Sequence, residues 1–218
     1  MSEVIYREIM KDDYDRIKEL IDEAFGIHDL IQDKIFLDVI LNLYLQSCIL
    51  DSSFSKVAVK DNRVIGIILG KAQKDKHRLA KTHNLLNIAN TSFKIITANK
   101  ENKKAAKELA KVQSTYKEII QGKEGDFQGY IELFIVSGES RGLGVGKMLM
   151  RHLSDYMRSM DVESIYVYTD NRCNYGFYEN QNFKRLNEKE IYLDSVQNKL
   201  LIFLYGHHVT HEKNNLKM

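Results

Sequence analysis

An α/β fold, with helices packed on a central sheet, is what the 218-residue sequence predicts. Segments of period two, which suit strands, alternate along the chain with apolar stripes of period three to four, which suit helices. The opening reads strand, helix, helix and then a two-strand hairpin, and a glycine-dense turn later joins a strand to a helix. Apolar residues make up 44% of the chain and charged residues 28%, with a formal net charge of +2, so the chain can bury a core. A single domain spanning 1–218 is expected.

The elements follow in order. Val4, Ile5, Tyr6, Arg7, Glu8 and Ile9 alternate in part and read as the first strand. Asp12 or Asp13 is placed to cap the next helix, because a carboxylate accepts the orphan N–H groups of a first turn. Ile17, Leu20, Ile21, Ala24 and Phe25 form that helix's buried stripe, and Gly26 ends it. A second helix is expected over 30–50, with Ile31, Ile35, Phe36, Val39, Ile40, Leu43 and Tyr44 on one side. Residues 54–59 and 64–69 read as strands joined by a turn at Asp61-Asn62.

Residues 71–125 differ in composition. They hold thirteen Lys and Arg against five Asp and Glu, a local net of +8, which leaves −6 for the remainder. Helices are expected over 79–98 and 103–121, the second from Ala105, Leu109, Val112, Tyr116, Ile119 and Ile120. This basic helical insertion reads either as a hairpin with a solvated lysine face or as a lid or wall that attracts an anionic ligand.

After Gly129 the pattern returns to strands. Residues 130–136 and 164–169 are strands, with a helix between them carrying Met148, Leu149, Leu153, Tyr156 and Met157 inward. A short helix around 174–180 follows. Phe183–Arg185 and 191–193 share a bent strand or pair across a turn, and 200–205 is the last strand.

Several classes are excluded. Cys48 and Cys173 are too few for a disulfide scaffold or a thiolate zinc site. His207, His208 and His211 cluster near the end without a Cys or Asp partner, and His77 and His83 do not share a helical face, so no metal site is expected. The first residues lack a secretory pattern, and no stretch approaches the ~20 apolar residues of a membrane helix. A cytoplasmic protein with no membrane partner is the expectation. Proline is absent, so turns fall to Gly, Asn, Asp and Ser.

The chemistry concentrates after the strand at 130–136. Arg141, Gly142, Leu143, Gly144, Val145, Gly146 and Lys147 lead directly into a helix. Glycines let backbone N–H groups converge on a phosphate, and the helix dipole favours negative charge. A Walker A loop fails twice: Arg141 stands where its first glycine belongs, and Met148 where its Ser or Thr belongs. The dinucleotide fingerprint fails because its third glycine comes one residue early.

Arg141 to Gly146 resembles instead the R-G-x-G-x-G/A pyrophosphate loop of the GCN5-related N-acetyltransferase (GNAT) superfamily. The run Asn171, Arg172, Cys173, Asn174, Tyr175, Gly176, Phe177, Tyr178, Glu179, Asn180, Gln181, Asn182, Phe183 resembles that family's second motif. The likeness covers about 4–70 and 128–205. Asn174 replaces a usual Ala, Asn182 a usual Gly, and Ser137-Gly138-Glu139 stands where a Pro is common.

The resemblance implies a mixed, mostly antiparallel sheet of about seven strands with helices on both faces, splayed between the fourth and fifth strands to take acetyl-CoA. It implies that N–H groups from Arg141 to Gly146 cradle the pyrophosphate and that Arg141 or Lys147 adds charge. Backbone groups of Ile135 and Val136 would pair with the pantetheine arm, Asn171 would hold it from the other side, and Asn174 would lie against it. Tyr178 is the candidate acid for the leaving thiolate and Glu132 the candidate base for the amine, with Tyr130 and Tyr168 as cleft-lining residues and Cys173 structural. The implied function is acetyl transfer from acetyl-CoA to a primary amine of a small molecule by direct attack. Acetylation of a protein or peptide amine, and a non-catalytic acyl-CoA sensor or scaffold, are the alternatives. Nucleic acid is not an expected partner, because the lysines are not interleaved with aromatics. Acids on the first two helices (Glu19, Asp22, Glu23, Asp29, Asp33) permit a cationic acceptor. A homodimer through the apolar strand at 200–205 is also an expectation.

Overall fold

A computed structural model describes residues 3–77, 79, 91, 94–140 and 142–209. Seven strands form one sheet: β1 (Ile5–Arg7), β2 (Phe54–Lys60), β3 (Arg63–Ala72), β4 (Gly129–Val136), β5 (Ser164–Asp170), β6 (Lys184–Leu193) and β7 (Asn198–His208). Their order is β1-β2-β3-β4-β5-β7-β6. β4 and β5 run parallel, and the other neighbours are antiparallel. The mixed, mostly antiparallel sheet expected from the sequence is therefore present.

Period-two alternation decides which helix meets which face. Ile67 and Leu69 of β3 point to α1 (Tyr14–Phe25), α2 (Ile27–Leu30) and α3 (Lys34–Leu50), where Ile17, Leu20, Ile21, Leu45 and Ile49 are buried. Ile68 points the other way, to Leu149, Leu153 and Met157 of α5 (Val145–Ser159). α4 (Lys100–Ile120) lies on the α1–α3 side, further along the sheet, and buries Ile119 and Ile120 against Ile191, Leu193, Leu200, Ile202 and Leu204. Each such side chain contributes roughly 1.5–3 kcal/mol when removed from water. A short helix, α6 (Gly176–Asn180), follows β5. Among the described residues no helix is long and apolar enough to cross a membrane.

Turn chemistry replaces proline throughout. Asp61 and Asn62 both take positive φ (51° and 59°), as a tight hairpin turn needs. Asn182 holds φ at 62°, a left-handed conformation that Asn tolerates. Gly26 closes α1 in the left-handed region.

Local expectations differ from the structure in three places. Asp13 does not cap α1: its buried carboxylate takes two 2.7 Å bonds from Arg7 and one of 2.8 Å from the Met10 N–H, a stronger set of charge-assisted bonds. The second helix does not begin at Leu30. Asp33 accepts from the Ile35 and Phe36 N–H groups and starts α3 at Lys34, which leaves Ile35 81% exposed in the first turn instead of on the buried side. Of the two arrangements expected for 183–185 and 191–193, the shared strand is the one present: both fall in or beside β6, with a register shift between Arg185 and Asn187. The strand at 200–205 lies inside the sheet, its apolar side chains already covered by α4 on one face and by the α5 layer on the other, so it offers no free surface for a dimer. Most of the helix expected over 79–98, with His83, and also His211, lie outside the described residues.

Gly70 and Gly129 show how tightly α5 seats. A Cβ on Gly70 would stand 2.6 Å from Leu153 Cδ1 and 3.0 Å from the Tyr130 carbonyl oxygen, whereas one on Gly125 would meet nothing within 4 Å. Gly70→Ala is expected to lower unfolding stability by roughly 1–3 kcal/mol through overpacking. Gly125→Ala is expected to change it little, and urea denaturation of the two variants measures the difference.

Candidate active site

β4 and β5 pair for three residues only, Gly129 with Ile165, Tyr130 with Tyr166 and Ile131 with Val167. Beyond them the strands part, and a cleft of about 1070 Å³ opens between Glu132–Val136 on one wall and Tyr168–Asp170 on the other. One edge of β4 there has no strand beside it, so its backbone groups are open to a ligand.

The glycine loop closes one end. Gly142 and Gly144 hold φ at 82° and 72°, conformations in which only glycine is unstrained. They turn the chain so that the N-terminus of α5 faces the cleft, with Val145, Gly146 and Lys147 in its wall. A Cβ on Gly146 would come within 3.2 Å of Phe177 Cε2, so this position also keeps the helix start close to α6. Orphan N–H groups, the helix dipole and the exposed Lys147 together make the potential here favourable to negative charge.

Glu132 sits at a β-bulge. Leu69 pairs with Leu133 and Gly70 with Ile131, which leaves Glu132 without a partner on β3. Its carboxyl lines the cleft and is pushed from its ordinary 4.5 up to about 7. Burial is the main cause and the nearby Asp51 charge adds to it; a hydrogen bond with the Cys48 thiol and the charge of Lys71 act in the opposite sense. A carboxylate with affinity near neutral pH can accept a proton and release it again.

Tyr178 is buried, its ring packed among Phe134, Phe177, Phe183 and Tyr205 at centroid distances of 5.5–6.2 Å. Burial holds its phenol far above the ordinary value, so it stays protonated, and it too lines the cleft. Cys173 is pushed up to about 12 by burial and then by Asp170, which keeps it a thiol and fits a structural role.

The structure thus brings Ile135, Val136, Gly142, Gly144, Val145, Gly146, Lys147, Asn174, Glu132 and Tyr178 to one cleft. Leu143 does not join them; it is 47% exposed beside the loop. Asn171 is also outside the cleft wall. Its side-chain oxygen accepts from the Leu201 N–H at 3.1 Å, tying β5 to β7. Arg141 lies outside the described residues. Sequence reasoning missed Tyr44, Asp51, Tyr116, Lys117, Tyr166 and Arg172, all of which line the cleft. Tyr44 and Tyr116 stand on apolar helical stripes, where the spacing alone reads as core.

Residues 99–183 match the model for the Acetyltransferase (GNAT) family. Solved structures share the fold. A ribosomal-protein-S18-alanine N-acetyltransferase from Escherichia coli aligns over 99% of this chain and 100% of its own, at TM-score 0.56 and 8% identity. An agmatine N-acetyltransferase in its apo form aligns over 94% of this chain and 99% of its own, at TM-score 0.55 and 10% identity. An N-acetyltransferase from Staphylococcus aureus aligns over 96% and 100%, at TM-score 0.54 and 11% identity. No curated protein matches the chain in sequence.

The Glu132 shift makes stability depend on pH. The folded chain binds this proton up to about pH 7 and the unfolded chain only to about 4.5, so the contribution is fully present below 4.5 and lost as pH rises through 7. The cost above pH 7 is on the order of 3 kcal/mol. Glu132→Gln is therefore expected to be more stable than the native chain at pH 8 and to converge with it near pH 4, as read by denaturant titration. Asp51→Asn is expected to move the native transition to lower pH.

Proposed function

We propose, from the GNAT acetyltransferase segment at 99–183 within a GNAT fold, that this chain moves an acetyl group from acetyl-CoA to a primary amine of a small molecule. The carrying observation is the early end of the β4–β5 pairing, which sets an unpaired strand edge, an anion-binding helix start, a carboxyl near neutrality and a neutral phenol around one cleft.

In this reading the pyrophosphate of the donor lies against the N–H groups of the Gly142–Gly146 turn, with Lys147 beside it. The pantetheine arm follows the open edge of β4 at Ile135 and Val136, and Asn174 lies on the opposite wall. Backbone N–H groups along that edge polarise the thioester carbonyl and stabilise the charge that develops on its oxygen. The amine enters as an ammonium and gives one proton to Glu132, directly or through water. Its nitrogen lone pair then attacks the thioester carbon, the C–N bond forms and the C–S bond breaks. The departing thiolate takes the Tyr178 proton, the surplus proton on the new amide nitrogen returns to the phenolate, and Glu132 releases its proton to solvent.

A small acceptor is favoured over a peptide because α4 covers the side of the cleft opposite the glycine loop, with Gln113, Tyr116 and Lys117 in the wall. An open groove for an extended chain is therefore narrowed.

Calorimetric titration with acetyl-CoA, desulfo-CoA and ATP is the test. Micromolar binding of both CoA compounds with none for ATP is expected, followed by free-thiol release when amines are added. Absence of CoA binding would overturn the reading, and binding without turnover on any amine would leave a sensor. Tyr178→Phe is expected to lower kcat by roughly 10²–10⁴-fold while acetyl-CoA still binds. The native kcat/KM is expected to fall below about pH 7 as Glu132 becomes protonated.

A further inference from the structure

The half of the cleft away from the glycine loop is walled by tyrosines. Tyr116 of α4 stacks on Tyr168 of β5, with centroids 4.4 Å apart and planes 5° apart. Tyr168 meets Tyr166 at 5.4 Å, and Tyr166 meets Tyr130, its partner across the parallel register, at 5.3 Å. Tyr44 of α3 lines the same space. All five are partly buried, and burial keeps each hydroxyl protonated, so they present neutral rings.

Two carboxylates share this wall. Glu132 lies in it, and Asp51, at the end of α3, is exposed with no ion-pair partner among the described residues; the Tyr130 hydroxyl donates to the Asp51 carbonyl at 3.1 Å. The basic residues on this side, Lys117 and Arg172, are both exposed. Ring faces attract cations through their quadrupole, and an unpaired carboxylate beside them adds a direct charge.

α4 is held as a fixed wall and not as a swinging lid. Glu108 accepts from the Asp194 N–H at 3.1 Å, Lys111 donates to the Tyr192 carbonyl at 2.6 Å, and Asn187 donates to the Ile119 carbonyl at 2.7 Å. At its start Asn102 donates to Asp33 at 3.0 Å. Tyr116 is therefore presented to the cleft in one place.

We propose that this tyrosine-walled half of the cleft selects an aliphatic diamine, one amine reacting beside Glu132 and the second, still cationic, held by the tyrosine faces and Asp51. The inference rests on the acetyl-transfer reading and names its acceptor class. It makes Tyr116, contributed by the basic helix, a specificity-determining residue.

The test compares three acceptors with the full chain: putrescine, its analogue with one ammonium replaced by hydroxyl, and its analogue with one ammonium replaced by carboxylate. Putrescine is expected to exceed the hydroxyl analogue by about tenfold in kcat/KM, with the carboxylate analogue lower still. Tyr116→Ala is expected to raise the KM for putrescine about tenfold without changing acetyl-CoA affinity, and Tyr116→Phe, which keeps the ring, to recover most of that loss. Equal use of the hydroxyl analogue, preference for the carboxylate analogue (the result that Lys117 and Arg172 would produce), or an unchanged selectivity in Tyr116→Ala would each overturn the proposal. If acetyl-CoA does not bind, the transfer reading fails. Calorimetric titration with putrescine alone then reads the tyrosine wall separately, and no binding there overturns this inference too.

Discussion

The end of the β4–β5 pairing after three residues is the constraint on which the rest of the molecule depends. Two parallel neighbours cannot be joined by a tight turn and need a crossover, here α5. The crossover leaves β4 at its carboxyl end, so the start of α5 is delivered to the mouth of the space that the diverging strands open. A helix N-terminus and an unpaired strand edge at one cleft arise together from one topological requirement. The glycines at 142 and 144 make the turn affordable, because a side chain at those φ values would strain the backbone.

The same divergence sets the proton chemistry. The bulge at Glu132 puts a carboxyl into the cleft without a β3 partner, and the end of α3 places Cys48 and Asp51 against it. Burial raises its proton affinity to near neutrality, and burial of Tyr178 likewise raises that of the phenol, which keeps its proton. In the proposed reaction these two groups, one near neutrality and one firmly protonated, serve as base and acid. The cost falls on folding stability above neutral pH, where a buried charge must be sustained.

The basic segment divides by face. On α4, Lys103, Lys104, Lys107 and Lys111 are exposed, whereas Ala105, Ile119 and Ile120 are buried and Tyr116 turns to the cleft. Lys111 and Lys189 also tie the helix to the β6–β7 hairpin, the second through Glu118. The positive charge of this helix therefore lies largely on solvent, and Tyr116 is the aromatic group that it brings to the cleft.

Strand and helix periodicity, the hairpin turn at Asp61-Asn62 and the strand–glycine–helix order at 130–147 are local properties. A single sequence carries them because each depends on neighbours within a few residues; seven strands and the cleft-lining glycines follow from them together with the family resemblance. Positions settled by competition between alternative partners were not legible in that way. Asp13 serves Arg7, Asn171 faces Leu201 and Ile35 is left in solvent, since competing hydrogen bonds or the start of a helix outweigh the local preference. Tyr44 and Tyr116 have the spacing of core residues, and only the packing of α3 and α4 beside the parted strands makes them cleft walls. The sequence by itself determined the elements and the glycine turn, because backbone conformation and amphipathicity are written locally. Tertiary structure alone decided the proton affinity of Glu132 and the aromatic half of the cleft, because burial and proximity exist only once residues from four separate segments have met.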